Sequence, residues 1–144
     1  MTAITQESYA GDVAPKEAWR ILSEDPAAVL VDVRTDAEWS YVGLPDLSSL
    51  GKQALCVSWQ VFPKMSLNPG FAAELEAAGV TKDQPILLLC RSGVRSLHAA
   101  VALTQAGYRC CYNVADGFEG PCDEGRHRGR RAGWKADNLP WVQG

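Results

Sequence analysis

No apolar run in the 144 residues approaches the length that spans a bilayer, so the chain does not read as a membrane protein. The stretch MTAITQESYAGD lacks the basic segment followed by an apolar one that marks a secretory signal, which points to the cytoplasm. No internal repeat, low-complexity tract or long linker interrupts the chain, and its length suits one domain. Cys122 and His127 are neighbouring soft ligands, but no Cys-x-x-Cys pair is present to complete a zinc site with them, so no metal site is expected. The five cysteines (Cys56, Cys90, Cys110, Cys111, Cys122) are odd in number and lack framework spacing, which argues against a disulfide scaffold and leaves at least one free thiol. Histidine is scarce, and His98 falls inside an apolar helix pattern, where it reads as a core residue rather than a base.

A net charge of −3 excludes a general nucleic-acid binder, but the charge is uneven. Residues 126–135 (RHRGRRAGWK) carry five of the fourteen Lys and Arg and no acid. Such a cluster is either a solvated turn or a local site for an anion or acidic partner.

What is present is an alternation of strand-length apolar runs with helical patterns, the signature of an α/β fold with a mainly parallel sheet. Pro15 opens a helix with Ala18, Ile21 and Leu22 on one face, followed by the strand AAVLVDV. A short helix ending near Gly43 precedes the strand QALCVSW, and Asn68 and Pro69 read as the start of a helix stopped by Gly79. QPILLLC is then a buried strand, SLHAAVALTQAG an almost wholly apolar helix, and YRCCYNV the last strand. Ligand sites of parallel sheets lie beyond the carboxyl ends of the strands, a rule that lines up Arg34, Trp59, Cys90 and Asp116 along one edge.

Between the strand ending at Cys90 and the helix beginning about Ser96 the chain must turn sharply, and Gly93 can take the positive φ such a turn needs. The backbone N–H groups of Ser92, Gly93, Val94, Arg95 and Ser96 then face inward as an anion cradle at the positive end of a helix dipole. A cysteine there has its thiolate form favoured, and Arg91 and Arg95 add permanent charge suited to oxyanions. The chemistry this serves is nucleophilic attack by sulfur. The bland alternative, an inert cysteine at a strand end, does not account for the coincidence of strand, Cys, Gly and two arginines.

With CRSGVR at Cys90–Arg95, VLVDVRTDAEW at 29–39, NVADGF at 113–118 and GWKADNLPW at 133–141, the chain resembles the rhodanese superfamily of sulfurtransferases. The resemblance implies a mainly parallel five-stranded sheet flanked by helices, without metal or organic cofactor. It also implies a ping-pong reaction in which a Cys90 persulfide carries a sulfane sulfur from thiosulfate, a polysulfide or a persulfide to cyanide, a thiol or a protein acceptor. In it, residues 1–12 are an N-terminal extension and 13–142 one domain, with a basic insertion at about 119–132. Asp32 and Arg34 match the family's Asp-x-Arg strand end; Asp32 is read as accepting hydrogen bonds from the active loop and Arg34 as pairing with Glu38, four residues on.

Departures from the family pattern bear on substrate. Ser92 and Glu38 stand where dedicated thiosulfate enzymes carry cations, and Asp116 replaces the first glycine of a common pair. The insertion leaves the carboxyl end of the last strand, so Arg126, His127, Arg128, Arg130 and Arg131 are expected on the Cys90 side, as a basic lip or as a surface excursion. Cys122 is a candidate resolving thiol for Cys90, a spare surface thiol being the alternative; Cys56 reads as core, and Trp59 as a wall of the pocket or as core. Two other readings of the loop are a cysteine phosphatase or arsenate reductase, whose loops are one residue longer between Cys and Arg, and a persulfide carrier or redox sensor without turnover.

Overall fold

The computed structural model describes residues 9–61, 66–120 and 132–142. In chain order its elements are β1 (Gly11–Val13), α1 (Pro15–Glu24), β2 (Val29–Asp32), α2 (Asp36–Tyr41), β3 (Leu44–Pro45), β4 (Leu55–Cys56), β5 (Gln60–Val61), β6 (Ser66–Leu67), α3 (Phe71–Ala77), β7 (Pro85–Leu89), α4 (Val94–Gln105), β8 (Cys110–Val114) and β9 (Trp141–Val142), with a 3-10 turn at Ser48–Leu50. Five strands form one parallel sheet in the order β1-β8-β7-β2-β4. This is the α/β architecture the sequence predicts. Two antiparallel pairs, β3 with β9 and β5 with β6, lie outside it.

The continuous apolar run Ile86–Leu89 makes β7 the central strand, because a parallel sheet is covered on both faces and every side chain of its middle strand must be apolar. Alternation along the strand sorts the core. Leu88 and Cys90 share a face with Val31, Val33 and Cys111, covered by Phe71 and Leu75 of α3 and Ala99, Ala100 and Leu103 of α4. Leu87 and Leu89 share the other with Leu30 and Val114, covered by Ala18 and Leu22 of α1 together with Phe118 and Trp134. Burial of each such leucine contributes about 1.5–3 kcal/mol, and the rigidity that follows fixes the height at which β7 stops.

Several local expectations change. Strand β1 begins at Gly11, and Tyr9 before it is buried, so the sheet starts inside the stretch expected to be an extension. The third helix starts at Phe71 rather than Pro69, because Asn68 Oδ1 accepts from the Gly70 N–H at 3.0 Å and pins a turn ahead of it. His98 is exposed: α4 buries Ser96, Ala99, Ala100 and Leu103, and position 98 points away from that stripe. Cys56 is also exposed, on β4 at the edge of the sheet. Cys111, by contrast, is buried deep in the core, where burial pushes its thiol up to about 11. Among the described residues no helix is long and apolar enough to cross a membrane.

Candidate active site

Cys90 follows directly on β7 and is 2 % exposed. Its Sγ accepts a hydrogen bond from the Gly93 N–H at 3.1 Å and lies 3.2 Å from the Ser96 Oγ, on the first turn of α4. Gly93 has φ +104°, the left-handed conformation expected of it, and caps the amino terminus of α4. The first carbonyls of the loop are drawn the opposite way: Cys90 O accepts from the Phe118 N–H at 2.8 Å, and Arg91 O from those of Glu119 and Gly120 at 3.0 and 3.1 Å. With these carbonyls drawn away, the loop presents the Gly93 N–H to the sulfur, one of the five donors expected of it and of the polarity that stabilises negative charge there.

The segment that draws those carbonyls out is a tight turn after β8. Asp116 and Gly117 both have positive φ (64° and 60°). A Cβ on Gly117 would collide with the Cys90 carbonyl oxygen and sit 2.7 Å from the Arg91 carbonyl carbon. Only glycine fits there, whereas aspartate tolerates the left-handed region at the exposed position 116.

The two charged pairs around the loop differ from the sequence reading. Arg34 does not pair with Glu38, and Asp32 does not accept from the active loop. Asp32 instead accepts from Arg34 Nε at 2.8 Å and Nη2 at 2.6 Å, as well as from the Arg34 backbone N–H, with both side chains fully buried. The short i, i+2 reach across the strand end beats the i, i+4 helical spacing because Arg34 lies ahead of α2, not on it. Arg34 also donates to Gly43 O at 2.7 Å and stacks over Phe118 at 4.3 Å. Since the Phe118 N–H holds the Cys90 carbonyl, Arg34 supports the loop through Phe118.

Glu38, thus released, grips Arg95 with two hydrogen bonds of 2.7 and 2.9 Å, and the same carboxylate closes a capping box with Thr35 at the start of α2. Burial alone would raise the Glu38 carboxyl, but Arg95 and the Thr35 N–H hold it below the usual carboxylate range. Burial alone would likewise lower Arg95, but Glu38 and the nearby negative groups raise it. The fork of Arg95 is therefore occupied, and the expected free cation at position 95 becomes half of a clamp.

Above the sulfur is a cavity of about 310 Å³ lined by Glu38, Gln60, Cys90, Arg91, Ser92, Val94 and Arg95. Arg91 and Val94 are exposed at its rim. Gln60 rather than Trp59 forms the wall beyond β4; Trp59 packs edge-to-face on Phe71 with ring centroids 5.3 Å apart. Arg126, His127, Arg128, Arg130, Arg131 and Cys122 lie outside the described residues. The chain departs for them at Gly120, whose N–H is bonded to the Arg91 carbonyl, and returns at Ala132 beside Gly120. Residues the sequence reading did not single out are Asn113, which meets Ser96 at 2.5 Å, and Asp12, which meets Asn113 at 3.0 Å. Only strand register, invisible in the sequence, sets Asp12 beside Asn113 on the face that Cys90 shares.

The family model described as the STR4 middle domain matches residues 10–144. An uncharacterized Rickettsia rickettsii protein is 40% identical over 131 residues, 90% of this chain and 95% of that one. Rhodanese-like domain-containing protein 4 of Arabidopsis thaliana chloroplasts is 28% identical over 92% of this chain, which spans 26% of its length. The thiosulfate sulfurtransferase GlpE of Haemophilus influenzae is 27% identical over 77% of this chain and 87% of its own. Among solved structures, Rv0390 from M. tuberculosis aligns with a TM-score of 0.86 and 50% identity, covering 94% of this chain and 99% of that one. On its fold, its Cys90 loop and these likenesses, the chain belongs to the rhodanese superfamily.

Proposed function

We propose that the protein is a sulfurtransferase in which Cys90 is the nucleophile. Its thiolate attacks the outer sulfur of a donor; the donor's S–S bond breaks with its electron pair on the leaving group, sulfite in the case of thiosulfate, and Cys90–S–S⁻ remains. Cyanide or a thiolate then attacks the outer sulfur, and Cys90 departs as thiolate. The Gly93 N–H, 3.1 Å from Sγ in a loop whose Cys90 and Arg91 carbonyls turn outward, is the observation that carries this reading.

The clamp on Arg95 bears on the donor. A phosphatase-like enzyme needs the guanidinium fork to hold a tetrahedral oxyanion, and here Glu38 fills that fork. Among the described residues, exposed Arg91 is left as the cation at the cavity rim, which favours a donor of low charge density such as a polysulfide or persulfide over thiosulfate. Intact mass after incubation with thiosulfate, and separately with polysulfide, tests the reading in the parent and in Cys90→Ser. A gain of one sulfur that needs Cys90 and is discharged by cyanide is expected, larger with polysulfide; no gain from either donor overturns it.

A further inference from the structure

The neighbours of Cys90 on its hidden side form a chain of polar groups leading away from the cavity. Asn113 lies opposite Leu88 in the β7–β8 register and opposite Asp12 in the β1–β8 register. All three therefore point to the face that Cys90 occupies two residues beyond Leu88. Ser96, buried on α4, completes the row: Cys90 Sγ to Ser96 Oγ at 3.2 Å, Ser96 Oγ to Asn113 Oδ1 at 2.5 Å, Asn113 Nδ2 to Asp12 Oδ1 at 3.0 Å, and Tyr9 O–H to that same oxygen at 3.0 Å.

Counting protons along the row gives it a direction. An ionised carboxylate only accepts, so Asp12 turns the amide of Asn113 with its NH₂ toward β1 and its carbonyl toward Ser96. Ser96 has one proton and two claimants, the Asn113 carbonyl and the Cys90 sulfur. The shorter distance gives the proton to Asn113, which leaves a Ser96 lone pair facing the sulfur, an arrangement that suits a thiol S–H and not a thiolate. For Cys90 to react as thiolate, the Ser96 hydroxyl must turn and give up Asn113.

We propose that Asn113, oriented by Asp12, competes with Cys90 for the Ser96 proton and so restrains the reactivity of the free nucleophile. Asn113 and Asp12 are positioning residues that act through Ser96, and the assignment rests on Cys90 being the nucleophile. Once sulfur is loaded, the negative charge sits on the outer atom within the cavity, the inner sulfur no longer needs the proton, and Ser96 returns it to Asn113. Among the described residues, the other charges lining the cavity above the sulfur are Arg91, Arg95 and its partner Glu38, none of which touches this row.

The test is the rate at which iodoacetamide alkylates Cys90 at pH 6, read by peptide mass, since the reagent takes thiolate and needs no sulfur donor. Asn113→Leu frees the Ser96 proton for the sulfur and is expected to speed alkylation by a few fold to about tenfold, the worth of one hydrogen bond. Ser96→Ala is expected to slow it by a similar factor, and Asn113→Leu to have no effect in the Ser96→Ala background. Asp12 is exposed, so Asp12→Asn supplies a second test should Asn113→Leu misfold. It too is expected to speed alkylation, and by less in the Ser96→Ala background, where only the loss of a distant charge remains. Unchanged or slower alkylation in a folded Asn113→Leu or Asp12→Asn protein overturns the proposal, as does an equal gain with Ser96 absent. Because no sulfur is transferred, failure of the sulfurtransferase reading shows separately, in the mass experiment.

Discussion

Replacing Glu38 by glutamine isolates the clamp on Arg95. Its two charge-assisted hydrogen bonds join side chains that are 16 % and 18 % exposed, so water screens them only partly. Bonds to charged groups contribute about 1.5–3 kcal/mol each in protected sites. The substituted amide keeps one acceptor oxygen and the contact with Thr35, so the expected loss is about 1–2 kcal/mol, a fall of roughly 3–6 °C in Tm for a chain of this size. The same substitution releases part of the Arg95 fork toward the cavity. One new bond of about 1.4 kcal/mol to an anionic oxygen lowers the KM for thiosulfate about tenfold and leaves that for polysulfide nearly unchanged. Thiocyanate formation in the presence of cyanide measures both constants, and a thermal melt measures the first effect. A lower Tm with no fall in the thiosulfate KM refutes the idea that Glu38 withholds Arg95 from the donor; no change in either shows that the pair carries no weight.

The low pKa of Glu38 gives a signed pH dependence: its contribution is complete above the unfolded carboxylate value of about 4.3 and is lost as pH falls through the lower folded value. Urea unfolding between pH 3 and 6 is expected to show that loss in the parent and not in Glu38→Gln; parallel curves exclude it. Gly117→Ala forces a side chain into the Cys90–Arg91 backbone at φ +60° and is expected to cost at least about 2 kcal/mol and to abolish sulfur uptake, whereas normal uptake in a folded variant would show that the turn does not hold the loop. Neutralising Arg128, Arg130 and Arg131 together is expected to raise the KM for an anionic donor and flatten its salt dependence, and unchanged kinetics would remove these residues from donor recruitment.

How much of this was legible in the sequence depended on how local each feature is. The Cys90 loop was readable because strand end, glycine and helix start are consecutive, and each has a backbone reason to be there. The pairing of Asp32 with Arg34 and of Glu38 with Arg95 was not. Arg95 lies 57 residues from Glu38 in the chain, and helical spacing supplied a nearer but wrong partner in Arg34. Strand β1 escaped notice because three residues give too little alternation to recognise, and with it went Asp12 and its partner Asn113. His98 and Cys56 were misplaced for a common reason. An apolar neighbourhood in sequence says that an element is buried, but not which side of a helix or which edge of a sheet faces water.

The meeting of Gly120 with Ala132 makes a splice point. A Cβ on Gly120 would sit 2.7 Å from the Ala132 carbonyl carbon, so the two arms of the chain are pressed together where residues 121–131 begin and end. Doubling the length of what is inserted there adds just ~0.6 kcal/mol of closure entropy. A peptide of another length can therefore be joined at this one place, next to the Arg91 carbonyl, at little cost in closure entropy.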